Sequence, residues 1–187
     1  VSWLPETSQK ILSQEVSILY KQLESHINLV QFVKPIAPLP PLRGWAASPD
    51  FLLHLTNTIL AYKPMTIVEA SSGSSTLIAA YNIQSLKNNG KVYSLDHDEY
   101  YAKQTRELLR IHQLDHIAQV YHAPLNDSNP IKKNWYDLQY LKNISSIDLL
   151  VIDGPPTTGI PHARFPALPL LISKLNPGAL ILLDDSD

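Results

Sequence analysis

The sequence predicts an α/β fold: a doubly wound, mostly parallel sheet preceded by an N-terminal helical extension. Three observations carry this expectation. From Thr66 onward, short β-branched runs alternate with segments of helical period, and strands covered on both faces of a parallel sheet read as such near-continuous apolar runs. The first run, Thr66–Ala70, enters a turn of small residues, Ser71-Ser72-Gly73-Ser74-Ser75-Thr76, and then an apolar helix. Acids close strand after strand, at Glu69, Asp96, Asp153 and the pair Asp184-Asp185.

Across residues 8–33, apolar side chains at Leu12, Val16, Leu19, Leu23, Ile27 and Val30 are spaced by fours and threes. That is an amphipathic helix with a narrow seam, suited to packing on its own domain or to a homodimer contact with a second copy, with membrane or substrate contact as the alternative. Residues 34–41 hold four prolines and must be extended. They divide an arm, 1–41, from the main domain, 42–187. Ser48-Pro49-Asp50 opens a helix, with a hydroxyl at the N-cap and proline in the first turn. It should run to about Tyr62 and stop before Pro64.

Beyond it the expected order is strand 66–70, helix 75–87, a turn at Asn89-Gly90, strand 92–96, helix 99–112 and strand 117–122. Strand 147–153, a helix over 163–175 and strand 179–184 follow. A parallel strand of this kind needs a following element to cover it, so C-terminal strands are expected to be missing from the sequence.

At 187 residues the chain is one ordinary domain with an added arm. Its 44% apolar content supports a real core, and its formal charge of −2 offers no basic face for nucleic acid. The absence of cysteine excludes disulfides, thiolate metal sites and a cysteine nucleophile, and fits a reducing, cytoplasmic setting. No apolar run is long enough to span a bilayer. Residues 1–6 lack the basic start and apolar centre of a secretory signal.

Ligands of open α/β sheets bind at the carboxyl ends of the strands. Several strand-terminal acids on one rim therefore mark a site. The serine-glycine turn lets a ligand approach the main chain at a helix N-terminus. Asp96 lies 23 residues beyond Gly73, about the separation that places a carboxylate on a ribose. These residues point to a nucleoside-bearing cofactor. His162 and Arg164 lie in the loop after Asp153, where an acceptor would sit. Histidine titrates nearest neutrality, which makes His162 the candidate general base. Arg164 either clamps an acidic substrate group or holds the loop to a carboxylate. Trp135-Tyr136 reads as a packing anchor.

Taken together, Val68-Glu69-Ala70-Ser71-Ser72-Gly73-Ser74-Ser75-Thr76, Leu95-Asp96-His97-Asp98, Val151-Ile152-Asp153-Gly154-Pro155-Pro156 and Leu183-Asp184-Asp185 resemble the class I S-adenosylmethionine-dependent methyltransferases. The segments Gly44-Trp45-Ala46-Ala47-Ser48-Pro49-Asp50 and Ala163-Arg164-Phe165-Pro166-Ala167-Leu168 look like the small bacterial group called methyltransferase family 24. The resemblance covers roughly residues 42–187. It implies a Rossmann-like sheet and methyl transfer from S-adenosylmethionine to a small-molecule acceptor, at oxygen more than at nitrogen.

It also implies roles for individual residues. Glu69 would lie near the methionine amino group, with Ser71, Ser72 and Gly73 beside the methionine moiety and ribose. Asp96 would accept from the ribose hydroxyls, with His97 and Ala123 bordering the adenine. Asp153 would face the sulfonium and the acceptor. Ser71 stands where the family has its first glycine, a serious departure if that backbone needs positive φ. A further likeness to catechol-type O-methyltransferases implies a Mg²⁺ site at Asp153, Asp184 and Asp185, although Pro156 replaces the lysine base of that group. Two rival functions stay open: a fold-retaining module without turnover, and a nicotinamide-dependent oxidoreductase. The second is disfavoured by the single glycine in the first turn.

Overall fold

The computed structural model describes residues 5–156 and 161–184. Its centre is a five-stranded, all-parallel sheet. The strands are β1 (Thr66–Ala70), β2 (Lys91–Asp96), β3 (Ala118–His122), β6 (Ile147–Ile152) and β7 (Leu175–Leu183). A two-stranded antiparallel ladder, β4 (Leu125–Asn126) with β5 (Trp135–Tyr136), lies outside it. The sheet order is β3-β2-β1-β6-β7. The chain winds outward from β1 through β2 to β3, then returns to the other side of β1 as β6. The crossover between β1 and β6 is the place where open α/β sheets take ligands.

Helices α1 (Glu6–Val33), α2 (Pro49–Tyr62), α3 (Ser74–Leu86) and α4 (Glu99–Ile111) contribute to one apolar cluster. There Leu29, Leu55, Ile59, Leu77 and Leu109 meet Ile67, Val92 and Leu149 of the sheet. On the opposite face Val68, Leu95 and Leu150 pack against Trp135, Tyr136, Leu141 and Leu171. The strands are thus buried on both sides, as their composition requires. None of the described helices is long and apolar enough to cross a membrane.

Three expectations change. Ser48 takes the N-cap position of α2, yet its hydroxyl makes no cap bond. It donates instead to Asp50 Oδ1 (2.6 Å), which also accepts from the Phe51 N–H. The expected 163–175 helix shrinks to α5 (Ala167–Leu171) followed by a 3₁₀ turn, in a stretch that carries Pro166 and Pro169. The last strand begins earlier than expected: Leu175 pairs Ile147, the register then shifts, and regular pairing resumes at Leu180 with Leu149. The displaced residues include Pro177 and Gly178 (φ 83°), which explains why sequence pattern placed the strand start after them.

Candidate active site at the carboxyl rim

β1 carries Glu69 into the interior with 1% of its surface exposed. Its Oε2 accepts from Thr76 Oγ1 (2.6 Å) and Ser94 Oγ (2.7 Å), and its Oε1 accepts from Ser75 Oγ. Thr76 Oγ1 in turn accepts from the Gly73 N–H at 3.2 Å. One carboxylate therefore ties β1, the turn, the first turn of α3 and β2 into a unit. Burial pushes the Glu69 carboxyl above its ordinary range; the three hydroxyl donors oppose that rise, and nearby Asp96 adds to it.

The turn has unusual backbone geometry. Ser71 has φ 149° and Gly73 has φ 145°, values that L side chains rarely adopt. At Gly73 an added Cβ would meet nothing within 4 Å. Glycine is needed there for the backbone, and the residue borders open space. Ser71 holds the same kind of conformation with a side chain attached, so the serine that departs from the family pattern is a strained one.

Asp96, 5% exposed at the end of β2, accepts from Ser72 Oγ (2.5 Å) and from the Asp98 N–H (3.0 Å). Ser72 Oγ also lies 3.0 Å from Thr105 Oγ1 of α4. The Asp96 carbonyl accepts from the Ala123 N–H (2.6 Å), seating the loop after β3 against the end of β2. His97 Nδ1 stands 3.8 Å from Asp96 Oδ1, and its ring meets Tyr136 nearly edge-on with centroids 6.2 Å apart.

Tyr136 is the residue that sequence reading undervalued. It comes from β5, is 2% exposed, and extends its hydroxyl to Gly154. A Cβ at position 154 would collide with that hydroxyl, and would lie 3.1 Å from the Ala70 carbonyl and 3.3 Å from Ser71 Cβ. Burial drives the Tyr136 phenol far above its ordinary pKa; the charges of Asp96, Asp153 and Glu69 add to the effect, and Arg164 opposes it. The three acids thus converge in one region, with a neutral aromatic side chain packed at the junction of β1 and β6. Tyr136 packs within the rim on which the acids meet. A cavity of about 200 Å³ lies at the other end of the sheet, bordered by Tyr62, Met65, Asp148 and Asn176.

Asp153 follows β6, and its N–H donates to the Ala70 carbonyl (3.2 Å). Arg164 Nη2 donates to the Asp153 carbonyl (3.1 Å) and lies 3.6 Å from Asp153 Oδ1, while Nη1 donates to the Asp184 carbonyl. Of the two roles expected for Arg164, the structure shows it holding the loop to the strand ends. His162 is exposed, in a left-handed conformation (φ 58°).

Asp185 lies outside the described residues. Among those described, no three His, Asp or Glu side chains are grouped to hold a metal ion, and Asp153 already faces a guanidinium. The expected Mg²⁺ site, which includes Asp185, therefore falls partly outside the described residues. The hydroxyl partners Ser75, Thr76, Ser94 and Thr105 were also missed, because nothing in a strand or helix pattern marks which hydroxyl turns toward a distant acid.

Three solved structures illustrate the fold likeness. The SAH-bound methyltransferase PaMTH1 of Podospora anserina aligns with 97% of this chain and 71% of its own (TM-score 0.62, 15% identity). An O-methyltransferase from Bacillus cereus in complex with SAH aligns with 86% of this chain and 65% of its own (0.54, 17%). The O-methyltransferase TomG from Streptomyces achromogenes, in complex with SAM, aligns with 88% and 63% (0.51, 18%). The chain spans less than two thirds of the length of the last two. At these identities the likeness is one of fold. Among curated proteins none matches the sequence. The model of a methyltransferase domain, family 24, matches residues 70–186, a span that includes the serine-glycine turn, Asp96, Tyr136, Asp153 and Asp184. With more than half its length matched, this chain belongs to that methyltransferase domain family.

Proposed function

We propose that the protein transfers a methyl group from S-adenosylmethionine to an oxygen of a small-molecule acceptor. The observation that carries this reading is the convergence of Glu69, Asp96 and Asp153 at the crossover beside Gly73, where the backbone borders open space. A rim where three acids meet one guanidinium is acidic on balance and suits a cationic ligand. The bound cofactor would supply a methyl carbon already activated by its sulfonium. Gly73 lets the main chain come close to that ligand. Asp96, steadied by Ser72, would accept from the ribose, and His97 and Ala123 would border the adenine. Glu69 would act mainly through the turn that it braces. Asp153 would shape the acceptor side, and His162 would take the acceptor's proton. Most of the rate gain would come from positioning the acceptor and excluding water.

Calorimetry with S-adenosylmethionine and, separately, NADH tests this reading. Binding of the first alone is expected, with Asp96→Ala weakening it at least tenfold, about 1.4 kcal/mol. Incubation with a panel of phenols and other hydroxylated acceptors should then give a methylated product by mass spectrometry. A chain that ignores S-adenosylmethionine, or prefers NADH, overturns the proposal. Binding without turnover on any acceptor would favour the second reading, a non-catalytic module, for which strained Ser71 and the packed Tyr136 speak.

A further inference from the structure

Helix α1 has 28 residues, but only Ser25, Leu29 and Val33 are buried along it. These three, with Gln22, whose side chain accepts from the Asp50 N–H, form the stripe that faces the domain. Leu12, Val16, Leu19 and Leu23 lie about 100° around the helix from that stripe. All four are exposed, Leu19 by 69%. Ile11 and Ile18 extend the domain-facing stripe beyond the domain and are likewise exposed. The seam expected from the sequence is therefore not used by the protein's own domain.

We propose that this face of α1 is the contact between two copies of the chain. Two features favour a second copy. The first is spacing: Leu12, Val16, Leu19 and Leu23 follow the alternating four-three step of a coiled-coil seam, with β-branched Val16 between two leucines, the pattern of paired helices. The step breaks at Ile27, four residues after Leu23, in the half of the helix that Gln22, Ser25 and Leu29 already hold to its own domain. The second is area. The four seam side chains each present on the order of 100 Å², so two copies would bury about 800 Å² along the seam, with Ile11 and Ile18 outside it. That area suits a weak, reversible dimer rather than an obligate one. Charge argues against a lipid surface as the occupant. α1 carries Lys10 and Lys21 against Glu6, Glu15 and Glu24, whereas interfacial helices are rich in Lys and Arg on the polar face.

Sedimentation equilibrium on the 187-residue chain tests the proposal without reference to catalysis. A dimer is expected at tens of micromolar, and Leu19→Glu should convert it to a monomer with an unchanged circular dichroism spectrum. Ser17→Glu, on the polar face, should leave the dimer intact. The chain has no cysteine, so Leu19→Cys introduces a single thiol. It should cross-link two chains through a bismaleimide, and Ser17→Cys should not. A monomeric wild type at 100 μM overturns the proposal. So does a Ser17→Cys chain that cross-links as readily as Leu19→Cys. Co-sedimentation of the wild type with phosphatidylcholine–phosphatidylglycerol vesicles, lost in Leu19→Glu, would assign the face to lipid instead.

Discussion

Glu69 shows what a buried carboxylate can do before any ligand arrives. Three hydroxyls from α3 and β2 converge on it, but they do not fully replace water, and its pKa stays raised. A carboxyl whose pKa is higher in the folded than in the unfolded chain contributes its full stability below the unfolded value. That contribution is lost as pH rises toward the folded value. Glu69→Gln cannot ionise, so its stability relative to wild type should improve as pH rises above the ordinary glutamate range and level off once pH passes the folded pKa, as followed in urea unfolding curves. A difference that stays flat with pH would mean that Glu69 titrates as an ordinary exposed acid. The position of Glu69 was legible because it ends an apolar run. Its partners on α3 and β2 were not, since hydroxyls 6, 7 and 25 residues away carry no periodic signal. The consequence of Ser71 was half legible: sequence showed a serine where glycine is usual, and only the backbone, at φ 149°, showed that the position is one that favours glycine.

At the scale of elements, the β4–β5 ladder is the part that pattern could not find. Each strand has two residues, too few for alternation to register, and the polar stretch between them reads simply as loop. Yet β5 places Tyr136 against the end of β6, and the fit is close enough to dictate glycine at position 154. Gly154→Ala should therefore destabilise by about 1–3 kcal/mol, the usual cost of overpacking a filled site. Most of that loss should return in Tyr136→Phe/Gly154→Ala, because removing the hydroxyl leaves only contacts of 3.1 Å or more around the new methyl group. A double-mutant cycle by chemical denaturation measures the coupling; additive effects would mean that the hydroxyl is not what excludes a side chain there. The long strands and helices, by contrast, were readable to within a few residues, because burial on both sheet faces forces continuous apolar runs. The exceptions, α5 and the start of β7, are places where prolines or a register shift interrupt that continuity.

At the scale of the molecule, what matters is that groups far apart in sequence set one another's chemistry. Tyr136 lies on a two-residue strand, while the acids that raise its pKa end β1, β2 and β6, and the one cation that opposes them is Arg164. Only the assembled sheet brings these five together, so the ionisation of Tyr136 reports on the fold itself. A phenol whose folded pKa exceeds its unfolded value of about 10 contributes stability that is intact below pH 10 and lost as the solution is made more alkaline. Among the nine tyrosines, Tyr136 should release its proton only together with unfolding. In an alkaline titration followed by phenolate absorbance and circular dichroism, the last tyrosine step should coincide with loss of structure. Tyr136→Phe has no proton to lose at that position, so its unfolding midpoint should move to higher pH. If Tyr136 titrated freely while the chain remained folded, the junction between β1 and β6 would be open to water, and the three acids would not act on a common point.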